Sequence, residues 1–316
     1  MSAPADTAWL AQVGRWAGGP VTVGHREPLA GGYVSAQVER VTLDASGRAV
    51  DVVVKRASAT EVAAMRALAV IPGLERPRQL ATGRDAESEW LVLPFYAGPG
   101  LGADAEVPAE VWTALGRVHA HWHRKRPRGV PVVDAAWWRT TVRERTLPAV
   151  LGAGERTGDP LFPEVAALLE AWATDSRLLA ALAVLPRTLT HGDAHRGNVL
   201  LAADGAVLID WGNARVAPAG LDLATLAAQG APAADAYAAA VANATPPPEL
   251  REVERLWAQV QVHVQYLGFA ADHLGSARVA EMVQTAVTAL DALGPALDAA
   301  RRARPERQES HVPVAE

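Results

Sequence analysis

The first third of the chain alternates short apolar runs with turn residues. The runs at 38–43, 50–54 and 90–93 are rich in valine and leucine, and the segment 44–47 between the first two has the composition of a turn. Short β-branched runs bounded by turns are typical of strands, so we predict three strands here. The segment 58–70 begins at a serine and carries apolar residues at helical spacing, which predicts a helix before the third strand.

After residue 98 the apolar spacing becomes helical. Apolar residues recur every three or four positions from Val111 to Trp122. Further helices are predicted at 164–172, 178–183, 251–274 and 277–300. The Gly-Ala-Gly segment at 152–154 follows no strand, and we predict a loop there. Strands followed by helices predict a two-lobed α+β chain.

The Gly-Pro-Gly segment at 98–100 predicts a boundary between two lobes. We expect a small β-rich N-terminal lobe with its hinge over residues 1–97, and a larger, mainly helical lobe over residues 98–305. The polar end at 306–316 is predicted to be a disordered tail.

Composition excludes several classes of function. The chain has 316 residues, of which 50% are hydrophobic and 21% charged, as expected of a globular protein. Its net charge of −5 and lack of a long basic run argue against nucleic-acid binding. The absence of cysteine excludes disulfides and thiolate metal sites. No apolar segment is long enough to span a bilayer and no signal peptide is apparent, so we expect a cytoplasmic protein without membrane contact.

Three chemistry-bearing residues follow one another at short spacing. Asp193 is followed five positions on by Asn198, and twelve positions further by Asp210. One carboxylate suits the orientation and deprotonation of a hydroxyl group, whereas an amide and a second carboxylate supply oxygen ligands to Mg²⁺. A hairpin over 199–209, with its turn at Asp204-Gly205, is predicted on either interpretation. The alternative is that the acids are only turn residues of this ordinary hairpin.

The segment H-G-D-x4-N, followed by Asp210-Trp211, resembles the aminoglycoside phosphotransferase and choline kinase-like family of the protein-kinase fold. The resemblance implies a bilobal protein-kinase-like fold and phosphoryl transfer from ATP or GTP with Mg²⁺. It implies that Asp193 is the catalytic base and that Asn198 and Asp210 hold the metal. Asp222 corresponds to the family's D-L-A aspartate, and we expect it to brace the catalytic loop.

A lysine and a glutamate are expected on the nucleotide side of the site. Lys55 ends the second predicted strand, from which its ammonium group could reach the nucleotide phosphates. Glu61, in the helix that follows, could hold Lys55 in place. A capping box with Ser58 would compete for the same carboxylate, and a solvated surface role for Lys55 is the other alternative.

Backbone groups complete the predicted nucleotide site. Gly31 and Gly32 lie in a segment where backbone amides could approach phosphates, although a glycine pair is more often only a turn. The resemblance implies that the adenine contacts the Pro94 carbonyl and the Tyr96 N–H, with Leu93 beside the base. The chain has neither a P-loop nor a dinucleotide-binding fingerprint.

The chain also departs from the family pattern. Ala194 and Arg196 stand where leucine and proline are common, and Gly212-Asn213 replaces an acidic residue. Arg196 is interpreted either as a contact to a phosphate or anionic acceptor, or as a surface residue. His119 and His123 have the i, i+4 spacing of zinc ligands but lack the accompanying glutamate, which disfavours a transition-metal site.

We therefore expect a kinase that phosphorylates a hydroxyl group of a sugar, aminoglycoside, amino alcohol or similar metabolite, acting as a monomer or homodimer. A nucleotide-binding pseudokinase and a metal-dependent hydrolase are the alternatives. The tryptophans among the possible acceptor contacts could equally fill the core. Possible acceptor contacts are Trp137, Trp138, Trp257, Tyr266, Asp272, His273 and Glu281.

Overall fold

The computed structural model describes residues 3–29, 38–231 and 235–303. Its strands are β1 (Thr22–Pro28), β2 (Val38–Ala45), β3 (Arg48–Ala57), β4 (Ala81–Arg84), β5 (Glu89–Pro94), β6 (Thr188–Thr190), β7 (Val199–Ala202), β8 (Gly205–Leu208) and β9 (Arg215–Ala217). Its α-helices are α1 (Asp6–Ala17), α2 (Ala59–Leu68), α3 (Ala109–Trp122), α4 (Ala135–Thr140), α5 (Leu147–Thr157), α6 (Leu161–Trp172), α7 (Ser176–Val184), α8 (Gly220–Ala227), α9 (Asp235–Val241), α10 (Pro248–His273) and α11 (Ser276–Ala303).

The chain forms two compact units. The first comprises Met1–Val133 and Pro186–Thr245, and the second comprises Asp134–Leu185 and Pro246–Glu316. The two units do not divide at residue 97, since the N-terminal sheet and the loop that carries Asp193 both belong to the first unit. The predicted lobe boundary after residue 97 stays a prediction. No helix among the described residues has the length and apolarity needed to cross a membrane.

An antiparallel sheet of five strands, in the order β1-β2-β3-β5-β4, begins the first unit. Side chains alternate between the faces of a strand. On β3, Val52 and Val54 therefore pack with Trp9 of α1 in a buried cluster. Val53 and Lys55 line a cavity on the other face. The valine run thus places the lysine on the face opposite the α1 core.

The predicted hairpin is formed by β7 and β8, in which Val199 pairs with Leu208. The segment after β5 runs beside this hairpin: the N–H of Leu101 donates to the Val199 carbonyl at 2.9 Å. A Cβ added to Gly98 would lie 2.1 Å from the carbonyl oxygen of Leu201, so this close approach requires glycine. The end of the predicted hinge, residues 91–98, is therefore held against the strand pair that precedes Asp210.

The second unit is helical. It contains α4 to α7, α10 and α11, and a π-helical turn at Thr141–Thr146. Trp138 and Trp257 are both fully buried, and the indole N–H of Trp138 donates to the Trp172 carbonyl at 2.9 Å. For these two tryptophans, the structure shows the core-filling alternative.

The predicted loop at 152–154 was wrong, because these residues lie inside α5. Buried residues at helical spacing, including Val150 and Ala153, hold that helix. Gly154 permits close packing on α6, since a Cβ there would lie 3.1 Å from the Cβ of Phe162. Packing therefore outweighs the low helix propensity of the two glycines.

The α+β class is confirmed, with an N-terminal antiparallel sheet followed by a mainly helical remainder. The predicted helix at 58–70 corresponds to α2, and the four later predictions correspond to α6, α7, α10 and α11 with small differences at their ends. The sequence analysis missed α4, α5, α8 and α9.

Candidate active site

Lys55 and Glu61 form a nearly buried ion pair. The Lys55 Nζ lies 2.5 Å from Glu61 Oε1, and the two side chains are 14% and 7% exposed. The Ser58 hydroxyl caps α2 by accepting a hydrogen bond from the Glu61 N–H at 3.0 Å. Glu61 therefore contributes its backbone to the cap and its carboxylate to the lysine. Burial raises the pKa of Glu61, although the neighbouring ammonium group opposes this shift.

Asp210 lies on the other side of the lysine. Its Oδ1 is 3.9 Å from Lys55 Nζ, and its side chain is 61% exposed. Its backbone is left-handed, with φ 63° and ψ 67°, a conformation that costs free energy in a residue other than glycine. This conformation turns the chain directly after Ile209 and leaves the carboxylate accessible, as a metal ligand must be.

His191 ties the loop of the predicted base to the strand that leads into Asp210. Its buried imidazole Nε2 bonds to the Ile209 carbonyl at 2.8 Å, and its Nδ1 accepts from the Asp193 N–H at 3.3 Å. Burial lowers the pKa of His191, which favours the neutral ring that this pairing requires. His191 therefore serves as a structural link between the two acidic residues.

Asp222 also holds the loop that carries Asp193, as expected. It is fully buried and accepts from the N–H groups of His191 and Gly192 at 2.7 and 2.9 Å. His119 Nε2 lies 3.1 Å from the carboxylate, and His119 Nδ1 lies 2.9 Å from the Tyr237 hydroxyl. Burial by itself would raise the pKa of Asp222, but the His119 and backbone donors hold it below its usual value.

His119 and His123, which have i, i+4 spacing, have different surroundings in the structure. His119 belongs to the network around Asp222, whereas α3 ends at Trp122 and His123 lies at its C-cap. His121 packs edge-on against Trp122, with 5.1 Å between ring centroids. Of these three histidines, it is the buried His119 that supports the loop of Asp193, through Asp222.

Asn198, a predicted metal ligand, is held by the main chain of Asp193. Its Nδ2 donates to the main-chain carbonyl of Asp193 at 2.9 Å, and its side chain lies in a 3₁₀ turn at Arg196–Asn198. The Ile209 N–H donates to the Asn198 carbonyl at 2.8 Å. The segments that carry Asp193, Asn198 and Asp210 are therefore joined by direct hydrogen bonds.

A cavity of about 220 Å³ opens beside the hinge. Its walls are mainly apolar, and Lys55, Glu61 and Asp210 lie together at one part of the lining. Such a lining suits a flat aromatic base attached to an anionic group. The other described residues that line it are Leu29, Val38, Val53, Met65, Pro77, Leu93, Pro94, Phe95, Tyr96, Leu200, Ile209 and Trp211.

The hinge itself is anchored at two points. The Phe95 N–H donates to the Asp51 carbonyl at 3.1 Å, and the Tyr96 hydroxyl accepts from the Arg78 N–H at 2.8 Å. Burial raises the pKa of Tyr96. The nucleotide contacts expected of Leu93, Pro94 and Tyr96 stay predictions, and Gly31 and Gly32 lie outside the described residues.

Arg196 has a structural use. Its guanidinium group donates to the carbonyl groups of Ala103 and Ala105 and more distantly to that of Gly102. Its backbone N–H donates to the side-chain oxygen of Gln229 at 2.9 Å. Arg196 therefore ties the loop that carries Asp193 to residues 102–105.

Sequence reasoning missed two residues that contact the loop carrying Asp193. The Asn213 Nδ2 donates to Asp193 Oδ2 at 3.0 Å. The buried Arg215 donates to the carbonyls of Gly192 and Asn213 at 2.8 and 3.0 Å. The only sequence signal was that Asn213 departs from the acidic residue common in the family.

Comparisons with known proteins identify the family of the chain. The sequence model described as "Phosphotransferase enzyme family" matches residues 25–257, more than half of the chain. No curated protein sequence matches.

Solved structures resemble the fold at low sequence identity. A choline kinase from Cryptosporidium parvum Iowa II has a TM-score of 0.55 at 11% identity, covering 88% of this chain and 89% of that one. A choline/ethanolamine kinase family protein from Mesorhizobium loti has a TM-score of 0.52 at 17% identity, covering 88% and 93%. Spectinomycin phosphotransferase APH(9)-Ia, solved with ADP and spectinomycin, has a TM-score of 0.50 at 12% identity, covering 87% and 94%. These likenesses confirm the protein-kinase-like fold. The match to the family model confirms the family resemblance, and the chain belongs to the phosphotransferase enzyme family.

Proposed function

We propose that the protein transfers the γ-phosphate of ATP or GTP, bound with Mg²⁺, to a hydroxyl group of a small molecule. One observation carries this proposal: hydrogen bonds join the segments of Asp193, Asn198 and Asp210, while Lys55 lies between Glu61 and Asp210. This is the set of groups that phosphoryl transfer requires, since catalysis depends mainly on positioning and on compensating the phosphate charge.

The donor set suits magnesium. Asp210 offers an accessible carboxylate and Asn198 an amide oxygen, and Mg²⁺ prefers such oxygen ligands together with water and phosphate. Bound Mg²⁺ would neutralise charge on the phosphates. Lys55, oriented by Glu61, would bind phosphate oxygens, and the hinge would hold the base in the cavity. ADP in the spectinomycin phosphotransferase supports nucleotide binding by this fold.

Asp193 would accept the hydrogen bond, and then the proton, of the acceptor hydroxyl group. The loop that carries it is held by Asp222 and His191, so its position does not depend on the nucleotide. An Asp193→Asn variant keeps the shape of the side chain but removes the proton acceptor. We expect its kcat to fall about 10²–10⁴-fold, while its affinity for Mg·ATP changes little.

In this proposal the acceptor is a hydroxyl-bearing small molecule. Two acidic candidates are already paired with arginine: Asp272 with Arg156, and Glu281 with Arg278 at 2.9 Å. This pairing weakens their case as contacts for a polycationic aminoglycoside. A sugar, amino alcohol or similar metabolite is compatible with the remaining candidates.

The test is a screen for ADP or GDP release with Mg·ATP and Mg·GTP over sugars, aminoglycosides, choline-like amines and hydroxy amino acids. We expect acceptor-dependent release that is lost in Asp193→Asn. Thermal stabilisation by Mg·ATP without any turnover would identify the pseudokinase alternative. Nucleotide-independent hydrolysis of a substrate would instead support the hydrolase.

A further inference from the structure

Asn213 contacts the predicted base directly. It ends the 3₁₀ turn Trp211–Asn213 that follows Asp210, and its Nδ2 lies 3.0 Å from Asp193 Oδ2. An amide NH₂ group can only donate, so this contact assigns Oδ2 of Asp193 as the acceptor of that bond. The second oxygen, Oδ1, lies on the side of His195, whose Nε2 is 3.9 Å away.

The backbone around this contact is built for close approach. Gly192 has φ 78°, and a Cβ added to it would lie 2.1 Å from the Asn213 carbonyl oxygen. Arg215 is 7% exposed and its guanidinium group donates to the carbonyls of both Gly192 and Asn213. One buried cation thus holds the loop before Asp193 against the turn after Asp210.

We propose that Asn213 is a positioning residue for Asp193. Its amide holds one carboxylate oxygen and thereby presents the other to the acceptor hydroxyl group. It also joins the base to the turn that carries the predicted metal ligand Asp210. This inference rests on the proposed kinase function, and it gives a role to a residue at which the chain departs from the family pattern.

Three substitutions at position 213 separate positioning from packing. Asn213→Asp keeps the shape but sets a carboxylate about 3 Å from that of Asp193, so like charges repel. Asn213→Ala removes the donor, and Asn213→Gln retains a donor on a longer side chain. Because a hydrogen bond to a charged group is strong, we expect kcat to fall about 10- to 100-fold in Asn213→Asp, less in Asn213→Ala, and least in Asn213→Gln.

The matched control is Asn243→Asp, at an exposed turn position after α9. It should keep wild-type kcat. The KM for Mg·ATP should stay within about threefold in all four variants, because none removes a group proposed to hold the nucleotide or metal. Equal kcat in wild type and Asn213→Asp would overturn the inference while leaving the kinase proposal intact. A KM change without a kcat change would also overturn it.

A second measurement is independent of turnover. In a ¹H–¹⁵N spectrum, the Asn213 side-chain amide pair is identified by its absence from Asn213→Asp. We expect that pair to shift when Asp193 is replaced by alanine, since its acceptor is lost. An unchanged pair would contradict the inference even if no acceptor is found. A shifted pair in a protein that neither binds nor uses Mg·ATP would instead sink the kinase proposal and leave only the contact.

Discussion

Glu61 and Asp222 are two buried carboxylates in the first unit, and they differ in how their negative charge is compensated. Glu61 is held by a single ammonium group, that of Lys55. Asp222 receives two backbone N–H groups and lies 3.1 Å from His119 Nε2. The pKa of Glu61 is raised because burial dominates, whereas the pKa of Asp222 is lowered despite complete burial.

In these two residues, the direction of the pKa shift follows the number of donors that reach the carboxylate. One ion pair offsets only part of the cost of removing a charge from water, whereas several directed donors exceed it. We therefore expect that Glu61 serves to orient Lys55, and that Asp222 serves to hold the loop of Asp193. Their replacement should separate activity from stability.

The largest expected effect is that of Asp222→Ala on stability. It leaves two backbone N–H groups and His119 without their shared acceptor in a buried place. We expect the free energy of unfolding to fall by about 3–5 kcal/mol, as when one partner of a buried charged network is removed. Urea denaturation measures this value.

The control for this variant is Asp298→Ala, an exposed aspartate paired with Arg301 within α11. It should change stability by less than about 0.5 kcal/mol. If Asp222→Ala were as mild as this control, Asp222 would not hold the loop, and the contrast with Glu61 would be lost.

Much of the frame of the site was accessible from the sequence. The hairpin over 199–209 and the Lys55–Glu61 pair depend on short-range patterns, namely short apolar strand runs bounded by turns and a helix that follows at once. The bracing role of Asp222 came from the family resemblance. The strand runs and the helix, by contrast, follow local rules that a single sequence carries.

The contacts that were missed join residues far apart in the chain. Tyr237 bonds to His119 across more than a hundred positions, and it lies in an alanine-rich segment where no helix face stands out. The Asn213–Asp193 contact depends on the left-handed turn at Asp210 and on the close approach at Gly192. Side-chain orientation of this kind follows from tertiary packing, which no local pattern encodes.

The next effect should appear in activity. Glu61→Gln keeps the size of the side chain but removes the charge that orients Lys55. We expect kcat/KM for Mg·ATP to fall about 10- to 100-fold, because a charge-assisted bond to the phosphate-binding group is lost. Stability should change by no more than about 1 kcal/mol, since the burial cost of the carboxylate is lost with it.

Steady-state kinetics with the acceptor found in the screen measure this loss, and urea denaturation measures the stability. Glu252→Gln, at an exposed helical position paired with Arg255, is the matched control. A Glu61→Gln variant with full activity would show that Lys55 needs no partner to reach the phosphates.

The two carboxylates should also respond oppositely to pH. The folded pKa of Asp222 lies below its unfolded value of 3.8, so its contribution to stability is present above about pH 4 and is lost as the pH falls further. The folded pKa of Glu61 lies above its unfolded value of 4.5, so its ionisation lowers stability as the pH rises from about 4.5 towards that folded value.

Urea denaturation at a series of pH values tests this contrast. The quantity compared is the free energy of unfolding of each variant minus that of wild type at the same pH. As the pH falls below 4, the free energy of unfolding should decrease less in Asp222→Asn than in wild type. As the pH rises above 4.5, it should decrease less in Glu61→Gln than in wild type. Parallel pH profiles for wild type and both variants would mean that neither carboxylate has a shifted pKa in the folded protein.

The smallest effect is expected at the outer end of the Asp222 network. Tyr237→Phe removes the hydroxyl group that lies 2.9 Å from His119 Nδ1 but keeps the ring that packs edge-on against Trp112 and His119. The loss in unfolding free energy should be about 0.5–1.5 kcal/mol, the net value of one neutral hydrogen bond. Because Asp222 still receives its backbone donors, kcat should stay within about threefold of wild type. A loss as large as that of Asp222→Ala would mean that the donors do not act separately. The stability of the loop would then depend on the whole chain from Tyr237 through His119, and counting donors would not explain why the two carboxylates differ.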